Sequence, residues 1–263
     1  MARKRVWLSW LPAAADAGSI QGLTGALGKA GLEVDGALFN RDLAKVGWSE
    51  TAAALVDDAR VDLWLVVGTL ADFADTGVRY GLSLAQASVL AKRAQPLPMV
   101  IAGLDGAPQA PALPPLLQRA RCLAPPQTGW APQVVAAAMR REPPPTEDFR
   151  FSIIAHPALG QWFEVGPIGA DQWRGAIFGI DAGEITHQGV GASGSLPQQC
   201  TLEYPSKGIR VDLGGHSYEC WAVRNTLEPG QSHFVRVVGS PGRLLFGELP
   251  EQDEADLRVL ELV

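Results

Sequence analysis

The sequence predicts two units, an α/β unit built on a parallel sheet and then an all-β unit. Three observations support this. Residues 1–142 alternate short apolar runs with amphipathic helical patterns, as β-α-β units do. A triple proline, Pro143-Pro144-Pro145, then stops any helix and favours an extended spacer. Beyond it the patterning changes to short runs of alternating apolar and polar residues, the mark of strands with one wet face. The predicted boundaries are 1–142 for the α/β unit, 143–148 for the Pro-rich linker and 149–263 for the β unit.

Val6–Leu11 is a short apolar run that fits a buried parallel strand, closed by Pro12. Asp16 can cap a following helix whose apolar positions are Ile20, Leu23, Leu27 and Leu32, and Gly31 stops it. Glu33–Phe39 enters a second strand. Asn40–Trp48 is a polar loop, and Ser49 is the expected cap of the next helix, with Glu50 near its positive end. Val61–Val67 is apolar on both alternations, so it is expected at the centre of the sheet. A loop over 68–77, a helix over 78–93 and a strand over 99–102 follow. Residues 105–118 read as an irregular excursion, 121–123 as a last strand and 133–140 as a last helix.

In the β unit, strands are expected at 151–154, 162–165, 176–180, 200–204, 209–213, 218–223, 234–238 and 244–249. About eight such strands make a sandwich or barrel. Ser240-Pro241-Gly242 and Glu228-Pro229-Gly230 supply turns between them. Gly179–Gly194 is glycine-rich but opens no helix, so it reads as a long hairpin loop rather than a phosphate cradle.

Composition narrows the function. The net charge of −6 falls entirely in residues 149–263, which hold 8 basic and 14 acidic residues against 14 of each in 1–148. Such a balance speaks against nucleic acid as a partner. No apolar run approaches the roughly 18 residues that cross a bilayer. The three cysteines, Cys122, Cys200 and Cys220, include no CxxC pair, which fits a reducing cytoplasmic location. His156, His187, His216 and His233 lie in the β unit without HxH, HxxxH or other ligand spacing, so no metal site is expected.

Three pieces of the first unit, in order and spacing, resemble a TIR (Toll/interleukin-1 receptor) domain. They are Trp7-Leu8-Ser9-Trp10, Arg41-Asp42-Leu43-Ala44-Lys45-Val46-Gly47-Trp48 and Val66-Val67-Gly68-Thr69. The resemblance covers roughly residues 4–142 and implies a flavodoxin-like fold. It marks Ser9 and Trp10 as ligand-binding candidates. It also makes Arg41, Asp42, Lys45 and Trp48 candidates for self-association or contact with another protein, Trp48 as anchor and the charges as rim. Packing of Trp48 on the following helix is the simpler reading of that residue. Val46 stands where the family commonly has proline.

Many TIR domains cleave NAD+ with a glutamate early in the helix after the third strand. At that place this sequence has Gly81, and no glutamate occurs between Glu50 and Glu142. The resemblance therefore implies a non-catalytic assembly or signalling module, in a bacterial defence or signalling setting, joined to a β unit that binds a ligand or partner. It implies no cofactor, with NAD as a possible ligand or substrate. Two alternatives stand beside it. One is an NAD+-cleaving enzyme in which Asp72 or Asp75 supplies the carboxylate. The other is a structural adaptor of a larger complex.

Overall fold

A computed structural model describes residues 3–12, 17–125, 127–141, 143, 147–169, 171–250 and 256–263. The expected cap Asp16 and part of the expected linker, residues 144–146, lie outside them. The chain divides into two compact units, one of Met1–Asp42 with Gly47–Pro144 and the other of Leu43–Val46 with Pro145–Val263.

The first unit contains β1 (Arg5–Trp10), α1 (Ala17–Lys29), β2 (Glu33–Leu38), α2 (Trp48–Asp57) and β3 (Val61–Gly68). It continues with α3 (Leu70–Ala74), α4 (Thr76–Lys92), β4 (Met99–Gly103), β5 (Arg121–Leu123) and α5 (Trp130–Ala138). Its five strands are parallel in the order β2-β1-β3-β4-β5. That order has its switch point between β1 and β3, where doubly wound sheets generally carry their ligands. β3 is buried almost throughout, as its unbroken apolar run requires. On one face Val6, Leu8, Leu63, Leu65, Val67 and Val100 pack with Leu27 of α1 and Val134, Ala137 and Ala138 of α5.

Three details differ from expectation. The stretch after β3 is not only a loop: α3 fills it, because Thr69 and Asp72 cap a turn there. Ser49 does not cap α2, since the helix already starts at Trp48 with Gly47 as N-cap. Where 105–118 was expected to be irregular, two short 3-10 turns form at Ala110–Ala112 and Pro115–Leu117.

Ion pairs gather where β1 and β3 begin. The Arg5 guanidinium lies 2.7 Å from Asp58 and 3.1 Å from Asp35, and Lys4 Nζ lies 2.6 Å from Asp62. Hydrogen bonds from the Arg60 side chain and backbone hold the Asp58 carboxyl at about 2. Nearby, Arg93 donates to the carbonyls of Leu55, Asp58 and Val61, placing a cation at the negative end of α2.

The second unit contains β6 (Phe149–His156), β7 (Gly160–Pro167), β8 (Trp173–Ile180), β9 (Glu184–Ala192) and β10 (Ser206–Leu213). β11 (His216–Leu227), β12 (Gln231–Val238), β13 (Arg243–Glu248) and β14 (Arg258–Glu261) complete it. They form two antiparallel sheets, β10-β11-β8-β13-β14 and β6-β7-β12-β9. Phenylalanines pack the sheets face to face: Phe163 stacks on Phe178 at 5.5 Å between centroids, and Phe151 on Phe246 at 5.5 Å.

Three expectations about this unit are corrected. Residues 200–204 are not a strand, because the Asn225 side chain holds them as a loop. It accepts the Glu203 N–H at 2.9 Å and donates to the Thr201 carbonyl at 2.9 Å. The stretch 179–194 is not a long loop, since most of it is β9, paired to β12. Its glycines have a packing reason: a Cβ at Gly189 or Gly191 would meet Pro197 at 3.1 or 2.9 Å. β14, the last strand, has no counterpart among the expected runs.

Candidate functional site

The polar loop is organised by Asn40. Its Oδ1 accepts the Asp42 N–H at 3.1 Å and its Nδ2 donates to Glu50 Oε1 at 3.0 Å. A 3-10 turn at Leu43–Lys45 follows, and Val46 adopts φ 49°, a left-handed conformation rare for a β-branched residue. Arg41, Asp42 and Lys45 are exposed. Trp48 is not: it opens α2 with 1 % of its surface accessible, and its Nε1–H finds no acceptor among the described residues. A ring so placed cannot serve as a surface anchor, so that expectation gives way to packing.

What Trp48 packs around is position 81. Gly81 is buried in α4, and a Cβ there would meet two atoms of the Phe39 ring at 3.2 and 3.3 Å and Trp48 Cβ at 3.5 Å. Phe39 is itself 1 % exposed. The Phe39 ring thus crowds a side chain at this position, and Trp48 lies in ordinary contact with it.

The two candidate aspartates are engaged by helix ends. Thr69 and Asp72 form a capping box on α3. The Asp72 carboxylate accepts the Thr69 N–H and Oγ1–H, both at 2.9 Å, while Thr69 Oγ1 accepts the Asp72 N–H at 3.2 Å. Asp75 caps α4 by accepting the Val78 N–H at 2.9 Å. A third carboxylate, Asp105 after β4, accepts the Leu70 N–H at 2.8 Å. Each carboxylate therefore answers a backbone donor that the start of a helix leaves unpaired.

Ser9 is fully buried and its Oγ accepts the Trp64 Nε1–H at 3.0 Å. With no accessible surface it cannot meet a ligand, and that expectation is corrected. Trp10 packs partly buried against the core beside α1 and α5.

In the second unit, Glu164 is 1 % exposed and accepts the Ser232 Oγ–H at 2.8 Å and the Gly194 N–H at 2.9 Å. His233 is fully buried, its Nε2 3.0 Å from Gln188 Oε1. Burial lowers its pKa to about 3, so the ring stays neutral. Cys220 is a core residue whose thiol burial pushes up to about 12, with the Glu219 charge adding to the shift. Among the described residues no group of three or more His, Cys, Asp or Glu is placed to hold a metal ion.

No protein-family model matches the chain, and no curated protein sequence matches it significantly. Sequence reading passed over the Thr69–Asp72 box, although Thr-x-x-Asp before an apolar run signals a helix start. The Asp105 contact and the Glu164–Ser232 pair carry no such local signal, because their partners lie far along the chain.

Proposed function

We propose that the first unit is a non-catalytic, flavodoxin-like module of TIR type that assembles with itself or a partner. The second unit supplies a ligand- or partner-binding surface. The glycine at position 81, packed tightly against Phe39, carries this reading, because such a domain would hold its catalytic glutamate there. The engagement of Asp72 and Asp75 as helix caps supports it further. Assembly runs through the exposed charges of the loop, Arg41, Asp42 and Lys45, while Trp48 shapes the loop from beneath.

Light scattering of the full chain tests this. The doubly substituted Arg41→Glu/Lys45→Glu protein is expected to be smaller than the parent, with unchanged thermal unfolding. Equal masses for parent and variant at all concentrations would remove the loop as an assembly surface.

A further inference from the structure

We infer that β10 is a self-complementary sheet edge, through which two copies of this chain pair antiparallel about a two-fold axis at Val211. This does not depend on the polar loop at 40–48. β10 ends its sheet, and among the described residues no strand lies along its outer side. Its eight residues are exposed or half-buried throughout. An edge of this length is a template for another strand.

The hairpin fixes which groups point outward. Leu213 pairs with His216 across a two-residue turn, Gly214-Gly215, with φ +59° and +80°. The residues flanking such a turn exchange backbone hydrogen bonds with each other. Counting back in twos, Leu213, Val211 and Ile209 direct their N–H and C=O groups to β11. Arg210 and Asp212 direct theirs to the open side.

Only some registers suit a second copy. With the axis at Arg210, two arginines stand opposite each other; with the axis at Asp212, two aspartates do. Like charges directly opposed are unfavourable. With the axis at Val211, Arg210 of each copy faces Asp212 of the other. Those are the residues whose backbone groups are free, so each pair can exchange both hydrogen bonds. In the same register Val211 meets Val211 and Ile209 meets Leu213, so an apolar stripe continues from one copy into the next on one face. Charge, hydrogen-bond phase and apolar pattern select a single register. A foreign strand would meet these demands only by repeating the same pattern.

The test is charge exchange, read by sedimentation of the full chain over a concentration series. An Arg41→Glu/Lys45→Glu background keeps the loop out of the measurement. That background is expected to dimerise. Arg210→Asp and Asp212→Arg should each weaken the dimer about tenfold, since two cross-strand pairs become repulsive. Combining them restores opposite charges and should return the affinity to within about twofold of the background. Asp212→Arg faces Ser217 on β11, so its effect is free of the Glu219 neighbour that stands opposite Arg210. A monomeric background at the highest concentration, single variants that dimerise equally well, or a double variant that is not rescued would each overturn the inference.

Discussion

Carboxylates beside the helix starts of the first unit and polar side chains buried in the sheets of the second find different partners. In the α/β unit the polar groups near the ends of β3 and β4 answer backbone donors: Asp72, Asp75 and Asp105 all accept N–H groups at helix starts. In the β unit buried polar groups face other side chains within sheets, as Glu164 does with Ser232, beside the Gly194 N–H it also accepts, and His233 with Gln188. A helix start creates unpaired donors and so draws in carboxylates. A sheet satisfies its own backbone, so a polar side chain buried in it must find a side-chain partner or stay neutral. An aspartate near the end of a parallel strand is therefore weak evidence of catalysis until its backbone obligations are known.

The largest effect that can break this contrast is at Trp48. Truncation to alanine should lower the stability of the first unit by about 3–5 kcal/mol, measured by denaturant unfolding. Trp48→Phe keeps most of the packing and removes an unbonded N–H, so it should cost less than about 1.5 kcal/mol. A small effect from the alanine variant would mean that the packing of Trp48 beside Gly81 is loose.

The second effect is pH-dependent and belongs to the β unit. His233 has a folded pKa of about 3 against 6.5 in the unfolded chain. Because the folded value is depressed, its contribution is intact above pH 6.5 and is lost as pH falls toward 3. Across that window the unfolding free energy should fall by about 1.4 kcal/mol per pH unit from this group alone. His233→Leu should flatten the slope in the same window. An unchanged slope would show that the histidine accepts its proton without unfolding.

Smaller again is the cap. Asp72→Ala should destabilise the first unit by about 1 kcal/mol, because a capping box is lost but a short helix remains packed. Smallest is Arg41→Glu/Lys45→Glu, which should change stability by no more than about 0.5 kcal/mol. Its effect should appear in assembly and not in unfolding.

Much of the fold was legible in the sequence, and the reasons are local. β3 was readable because a strand buried on both sides needs an unbroken apolar run, and Val61–Val67 provides one. The change of patterning after the prolines marked the second unit for the same reason. β9 was not readable, since its glycines answer to Pro197, which the fold brings onto them. The run 200–204 looked like a strand because its alternation is correct, and only the distant Asn225 turns it into a loop. At the candidate site, Gly81 was visible at once as the residue standing where the resemblance to TIR domains would put a glutamate. The filling of its place was not, because Phe39, Trp48 and Gly81 meet only when the sheet and helices have assembled.

Incubation of the full chain with NAD+, followed by assay for free nicotinamide, tests the central claim most directly. With glycine at position 81 packed against Phe39, and Asp72 and Asp75 committed to helix ends, the account predicts no release above the rate without protein. Steady release that Asp72→Asn or Asp75→Asn abolishes would contradict it.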